Sequence, residues 1–136
     1  MDTKSKMLQI SLRRFSIGVP VRARRCFAVK SRAAAAVAEL ILLVEHCATQ
    51  DGDSVGTVGM LNVPSGSINV IPGRCQFSLD LRAPSDAQRD ALEAKVLTGL
   101  RMICERRGLH HTLTRTMQAS AAPSAPEWQA RWEAAV

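Results

Sequence analysis

The sequence is poor in features that mark several common classes of protein. Aromatic residues make up 4% of the 136 residues and tyrosine is absent, so stacking platforms for single-stranded nucleic acid are nearly missing. No run approaches the roughly 18 apolar residues needed to cross a bilayer. Nothing near Met1 has the apolar core of a secretory signal. With 46% hydrophobic and 22% charged residues, the composition instead predicts one small globular domain.

Motifs for metal binding and nucleophilic catalysis are also missing. The four cysteines follow one another at spacings of 21, 28 and 29 residues, which leaves no CxxC pair and favours the buried, reduced thiols of a cytoplasmic protein. No HxxxH, HExxH, GxSxG, phosphate-loop or dinucleotide-binding motif is present. The sequence therefore predicts neither a metal site nor a catalytic centre within this chain. The candidate carboxylates are expected on solvated helix surfaces: Glu39, Glu45, Asp90 and Glu93.

The formal net charge of +6 is not spread evenly along the chain. Residues 1–32 contain nine Lys/Arg and one acid, a net +8, whereas residues 33–136 contain nine Lys/Arg and eleven acids, a net −2. Nucleic-acid binding usually rests on a basic face of the folded domain. A basic arm on a slightly acidic domain therefore disfavours nucleic acid as a partner.

Hydrophobic periodicity predicts two long helices. From Ala33, the residues Val37, Leu40, Ile41 and Val44 follow the i, i+3, i+4, i+7 spacing of one buried helix face. A capping box formed by Ser85 and Gln88 begins the second helix, which is expected to end near residue 107, before a glycine. Its buried face is expected to contain Leu92, Val96, Leu100 and Ile103.

Strand patterns lie on both sides of these helices. Residues 76–82 alternate between apolar and polar side chains, and residues 8–21, 55–63 and 110–116 are further strand candidates. The order strand–helix–strand–strand–helix–strand predicts an α+β, ferredoxin-like fold, with two helices on one face of a four-stranded antiparallel sheet. We expect a basic arm at 1–32 that can include the first strand, the ferredoxin-like domain at 33–117, and a linker with a final helix at 118–136.

Two polar residues have chemistry suited to ligand binding. Asn69 interrupts an apolar segment immediately before the turn Pro72-Gly73, and Arg82 ends the alternating strand on its polar side. Arginine offers a planar fork for a carboxylate, and asparagine offers a donor and an acceptor together. The alternative is structural, because an Asn before Pro-Gly is typical of a turn and an Arg at a strand end is typical of an exposed charge.

Three ordered blocks resemble a known family. The blocks are GTVG at 56–59, PSGSINVIPG at 64–73 and FSLDLRAP at 77–84, preceded by a helix similar to that at 33–44. Together they resemble amidohydrolases related to metallo-aminopeptidases, in particular the N-carbamoyl-L-amino-acid hydrolases, allantoate amidohydrolases and β-ureidopropionases. The resemblance covers about residues 31–136.

The resemblance implies one part of a larger enzyme. Members of this family have a zinc-peptidase-like catalytic domain with two divalent metals (zinc, manganese or similar) and a smaller ferredoxin-like lid that mediates homodimerisation. The chain resembles only the lid, so it is expected to hold no metal and to be inactive alone. By the same resemblance, Asn69 and Arg82 are expected to hold the carboxylate and amide end of a carbamoyl or ureido substrate.

One departure from the family leads to a hypothesis about the gene. The family has an H-A-G-x-x-P-M segment before the first lid helix, whereas residues 24–32 contain no histidine. We therefore expect a fragment, or the product of a frameshifted or truncated gene. The alternative function is a free-standing ferredoxin-like dimerisation module without a catalytic role.

Overall fold

A computed structural model describes residues 11–18, 33–50, 52–120 and 125–135 of the chain. The described elements, in chain order, are β1 (Ser11–Gly18), α1 (Ala33–Thr49), β2 (Val55–Thr57), β3 (Leu61–Asn62), β4 (Arg74–Arg82), α2 (Asp86–Arg106), β5 (His110–Gln118) and α3 (Pro126–Ala135). The predicted α+β class is confirmed. The ends of the first strand candidate, at 8–10 and 19–21, and residues 121–124 of the expected linker lie outside the described residues.

The described strands form one antiparallel sheet in the order β2-β4-β1-β5, with β3 also paired to β4. Strand β1 therefore lies between β4 and β5, with Phe15 opposite Phe77. The two phenyl rings stack with their centroids 4.9 Å apart. A segment that begins in the basic arm thus supplies an inner strand of the sheet.

The sheet contains five described strands rather than the four expected. The run at 55–63 was expected as a single strand, but it pairs with β4 in two short pieces. Thr57 is opposite Asp80, whereas Leu61 is opposite Phe77. From Thr57 to Leu61 the run advances four residues, while β4 advances only three, from Asp80 to Phe77. The run therefore contains one extra residue, as in a β-bulge. At this irregularity the N–H of Met60 donates to Oγ of Ser78 at 3.0 Å.

The core lies between the sheet and helices α1 and α2. Strand β4 alternates as predicted, since Phe77, Leu79 and Leu81 are buried while the residues between them face the other side. The predicted inner faces of both helices are also buried. Their members are Val37, Leu40 and Val44 from α1 and Leu92, Val96, Leu100 and Ile103 from α2, with Ile41 partly buried against the same cluster.

Helices α1 and α2 run antiparallel. Glu39, early in α1, accepts hydrogen bonds from Arg106 and Arg107 at the end of α2. Further along, Leu43 lies against Gly99, where an added β-carbon would overlap Cδ2 of Leu43. The glycine therefore allows the two helices to approach closely.

The predicted helix ends of α2 are confirmed. The N–H of Gln88 donates to Oγ of Ser85 at 3.3 Å, so Ser85 acts as the N-cap. At the other end, Gly108 has a φ of 62°, the left-handed conformation that often terminates a helix. The final helix expected within 118–136 is α3, and its Trp128 and Trp132 are both more than half exposed.

Candidate functional site

Arg82 lies at the end of β4, on the sheet face opposite the helices. Its Nε and Nη2 atoms donate to a single oxygen, Oδ2 of Asp80, at 3.0 and 2.7 Å. The hydrogen bond to Asp80, and then its negative charge, raise the pKa of Arg82 above its ordinary value. The Arg82 side chain is 43% exposed, whereas the Asp80 side chain is 16% exposed. The guanidinium is thus held on one side and open to solvent on another.

Asp80 is flanked on both sides by neighbouring strands. It stands opposite Thr57 of β2 and Leu12 of β1 in the sheet register. Its second oxygen, Oδ1, is buried, and no hydrogen-bond donor reaches it in the described part of the chain. A buried polar atom without a hydrogen-bond partner lowers the stability of the folded state by about 1–3 kcal/mol. Oδ2 of Asp80 has such a partner, whereas Oδ1 has none among the described residues.

Asn69 lies in the turn that leads into β4. Its side chain is exposed, and its Oδ1 accepts a hydrogen bond from the hydroxyl of Ser67 at 3.2 Å. The N–H of Val70 donates to the carbonyl of Ser67 at 3.3 Å, which closes the turn. Ile68 is fully exposed beside it. Asn69 therefore retains its amide N–H donors on the surface.

The turn packs against the beginning of α1. The N–H of Ala33 donates to the carbonyl of Pro72 at 3.1 Å. An open depression of about 430 Å³ is lined by Ala34, Ala35 and residues 68–72. The first turn of α1 contains no acidic residue, so the positive end of the helix dipole is not neutralised there by its own side chains. The surroundings of Asn69 therefore suit the negative or amide end of a small ligand.

The structure does not bring Asn69 and Arg82 together. Arg82 is the last residue of β4 and Asn69 precedes its first residue, Arg74. Eight steps of about 3.3 Å place the Cα atoms of Arg74 and Arg82 about 26 Å apart. Helix α1 spans the same distance. Its first residue, Ala33, lies beside Pro72, close to Asn69. Val44, near its other end, lies beside Gly56, which belongs to the strand that pairs with the Arg82 end of β4. The two candidate residues occupy opposite ends of the domain.

Arg89 is a buried charged residue that the sequence reasoning missed. Its guanidinium donates to Asp86 at 2.8 Å, to Asp90 at 2.7 and 2.9 Å, and to the carbonyl oxygen of Ala119 at 3.0 Å. Burial opposes its charge, but the hydrogen bonds and charges of Asp90 and Asp86 raise the pKa of Arg89 above its ordinary value. The residue joins the start of α2 to the segment after β5. Its position between two aspartates, just after the N-cap, was the available signal.

The expectation that Glu93 is a solvated carboxylate is wrong. Its side chain is 9% exposed, and the guanidinium of Arg115, on β5, lies 3.4 Å away. Glu39 is also paired, and its hydrogen bond from Arg107 is the largest cause of a lowered pKa. Both acids connect secondary-structure elements.

The described residues offer no metal centre. Within the described ranges, no group of three or more His, Cys, Asp and Glu side chains is placed to hold a metal ion. Cys75 and Cys104 are buried, as predicted, and burial raises the pKa of both thiols, whereas Cys47 is only partly buried and Cys26 lies outside the described residues. No helix in the described part of the chain is long and apolar enough to cross a membrane.

Sequence comparison identifies relatives of this chain. It is 38% identical over 84 residues to the N-carbamoyl-L-amino acid amidohydrolase of Geobacillus stearothermophilus. The matched segment covers 62% of this chain and 20% of that protein. It is 36% identical over 73 residues to the allantoate deiminase of Arabidopsis thaliana, and this second segment covers 54% of this chain and 14% of that protein. No family model matches the chain. The chain thus spans about a fifth, or less, of the length of these relatives.

Structural comparison agrees on the fold. The chain superposes on a hydantoinase/carbamoylase family amidase from Burkholderia ambifaria with a TM-score of 0.81 at 21% identity, covering 94% of this chain and 32% of that chain. A second amidase of this family, from Burkholderia multivorans, gives a TM-score of 0.82 at 22% identity, with the same coverage. The homologues of this chain are therefore carbamoylase-type amidohydrolases and related ureide hydrolases, which confirms the resemblance carried by the three sequence blocks.

Proposed function

We propose that this chain is the lid and dimerisation domain of a metal-dependent amidohydrolase that acts on N-carbamoyl-L-amino acids or related ureido compounds. The observation that carries the proposal is the 38% identity to an N-carbamoyl-L-amino acid amidohydrolase over 84 residues, a segment rather than the whole of that enzyme. The described residues supply no cluster of metal ligands. We therefore assign no metal-dependent step to them and propose that the chain does not hydrolyse these substrates by itself.

The strand order supports a ferredoxin-like assignment for this lid. In a ferredoxin-like sheet the two inner strands come from different halves of the chain, and neighbouring strands are antiparallel. Here the inner strands are β1 and β4, the outer ones are β5 and the β2/β3 pair, and every described pairing is antiparallel. In this assignment, β2 and β3 together take the place of one strand.

The proposed substrate contacts are Asn69 and Arg82. The Nη1 and Nη2 atoms of Arg82 suit a substrate carboxylate, and the exposed amide of Asn69 suits a carbonyl or ureido group. Because the two side chains lie at opposite ends of β4, one copy of the chain cannot bring both to one small molecule. Each residue therefore makes its contact independently, and a carboxylate can bind Arg82 without Asn69.

Strand β5 is the proposed route to a homodimer. In the described part of the chain it pairs with β1 on one side only, and its other edge presents backbone N–H and C=O groups along nine residues. An edge strand of this length can pair with a second copy. We propose that dimerisation uses this edge.

A chimeric enzyme tests the proposed function. The 84-residue matched segment of the Geobacillus enzyme is replaced by the corresponding residues of this chain, and hydrolysis of an N-carbamoyl-L-amino acid is measured. We expect the chimera to be active and Arg82→Gln or Asn69→Ala to lower kcat/KM by about tenfold or more, equivalent to about 1.4 kcal/mol of transition-state stabilisation.

Arg101→Gln is the matched control. Arg101 is an exposed arginine on α2 that donates to the carbonyl of Leu97 in its own helix, so its replacement should leave kcat/KM unchanged. A folded but inactive chimera would argue against the lid assignment. Full activity of the Arg82→Gln chimera would exclude a substrate contact by Arg82 and leave the dimerisation role to be judged from the oligomeric state of the chain.

A further inference from the structure

The structure assigns to Asp80 a role in orienting Arg82, and we propose that it is a positioning residue which decides how the guanidinium meets a ligand carboxylate. This inference rests on the proposed function, because it takes Arg82 to be the carboxylate-binding group. It adds a second residue to the candidate site. It also predicts that replacing Asp80 weakens the binding of an anionic ligand, whereas the loss of a negative charge alone would strengthen it.

The contact uses one particular edge of the guanidinium. Nε and Nη2 both donate to the same oxygen, Oδ2 of Asp80, so the edge shared by these two nitrogens is occupied. An arginine carries five N–H donors in a fixed plane. The edge formed by Nη1 and the second N–H of Nη2 remains, and its two parallel donors fit a carboxylate bidentately. The pairing with Asp80 fixes the plane in which this second edge lies.

Asp80 is itself firmly placed. It lies within β4, between β1 and β2, and its side chain is only 16% exposed, whereas the Arg82 side chain is 43% exposed. A long arginine side chain loses conformational entropy when it is ordered. Because the Asp80 contact orders the guanidinium before any ligand arrives, less of this loss falls on the binding step.

The buried second oxygen of Asp80 points to the same role. Oδ1 is inaccessible to solvent and has no hydrogen-bond donor in the described part of the chain. A leucine there would avoid the stability cost of a buried oxygen without a hydrogen-bond partner. Among the described side chains, the polar partner of Asp80 is Arg82 alone, so the retained carboxylate acts on Arg82.

The direction in which Asp80→Asn changes the affinity for an anionic ligand shows whether Asp80 acts by orienting Arg82 or only by its charge. Replacing Asp80 by asparagine removes a negative charge beside Arg82, so electrostatics alone predicts tighter binding of an anionic ligand. Loss of orientation predicts weaker binding. Asp80→Asn therefore gives opposite answers for the two explanations, with little change in side-chain size.

The experiment uses the full chain labelled with ¹⁵N and two probes, N-carbamoylglycine and its uncharged amide. The guanidinium ¹⁵N–¹H resonances of Arg82 are assigned from their loss in Arg82→Gln and followed during titration with each probe. In the unsubstituted chain we expect a saturable shift with N-carbamoylglycine and none with the amide. In Asp80→Asn we expect at least threefold weaker binding of N-carbamoylglycine, together with faster solvent exchange of the Arg82 Nε–H.

Glu105→Gln is the matched control, because it removes one negative charge from an exposed position of α2. It should leave binding unchanged, and the backbone ¹⁵N–¹H spectrum of each variant checks its fold. Equal or tighter binding by Asp80→Asn would overturn the positioning role while leaving the Arg82 carboxylate contact intact. Absence of any carboxylate-dependent shift in the unsubstituted chain would overturn both that contact and the inference built on it.

Discussion

Gly56 in β2 lies directly against Val44 in α1. A β-carbon on Gly56 would stand 2.6 Å from Cγ1 of Val44, 3.3 Å from Cβ of Ala48 and 3.4 Å from Cδ2 of Leu81. The helix and the strand therefore meet at a distance that only glycine permits. This contact supports the end of the sheet at which Arg82 and Asp80 lie, since Gly56 is opposite Leu81 in the strand register.

We expect Gly56→Ala to lower the free energy of unfolding by about 1–3 kcal/mol, the usual effect of overpacking a tight site. The reason is that the branched Val44 side chain and the α1 backbone must move to admit a methyl group. Urea unfolding followed by circular dichroism measures the change. Gly59→Ala is the control, because a β-carbon there would meet only Oγ of Ser78 at 3.9 Å. Equal effects of the two substitutions would contradict the close approach.

Arg89→Met should destabilise the chain. Removing the buried guanidinium takes this donor from Asp86, Asp90 and the Ala119 carbonyl; because both aspartates are more than half exposed, we expect a loss of about 1–3 kcal/mol. The measurement is again the free energy of unfolding in urea. Arg101→Met, on the exposed side of α2, should change it by less than about 0.5 kcal/mol. A small effect of Arg89→Met would mean that the connection between α2 and Ala119 is dispensable.

The pairing of Glu39 predicts sensitivity to acid. Hydrogen bonding to Arg107, followed by the charges of Arg107 and Arg106, lowers the pKa of Glu39 below its ordinary value of 4.5. A carboxyl group with a lowered pKa in the folded state stabilises it above the ordinary pKa and loses that contribution as the pH falls through the lowered one. We expect Glu39→Gln to reduce stability at neutral pH and to flatten its decline below pH 4.5. Glu45→Gln, on the exposed side of α1, should leave that decline unchanged.

His111 predicts a second pH dependence, closer to neutrality. Burial, then the charges of Arg101 and His110, lower the pKa of His111 below its ordinary value of 6.5. The folded state therefore binds this proton less readily than the unfolded state, so stability falls as the pH drops below 6.5 towards the lowered pKa. Thermal melts at several pH values should show this fall, and His111→Gln should remove its part of it. An unchanged profile for His111→Gln, with His46→Gln as the control, would contradict the assignment.

Much of the architecture follows from periodicity in the sequence. The faces of α1 and α2 and the alternation of β4 are all present in the pattern of apolar residues, because burial of one side of an element leaves a repeat that can be read directly. The inner strand β1 was harder to place. It contains Phe15 and Ile17, both buried, yet it lies in a stretch whose composition is dominated by arginine and lysine.

Other features depend on contacts between distant parts of the chain and leave no local pattern. The charged residues Arg89 and Glu93 are buried because Ala119 and Arg115, more than 20 residues away, come to lie beside them. Arg82 was correctly placed at the end of a strand, whereas Asn69, expected before the turn Pro72-Gly73, lies itself in a turn closed between Ser67 and Val70. Their separation in space follows only from the extended conformation of the whole of β4 between them.

Strand β4 also restricts how this segment can change during evolution. Loops accept insertions and deletions readily, but one residue added or removed within β4 would shift every following side chain to the opposite face of the sheet. Arg82 would then point towards the helices, while an apolar neighbour took its place at the surface. We therefore expect homologues to keep the length of β4, from Arg74 to Arg82, constant even where its residues differ, with length variation confined to the turns on either side.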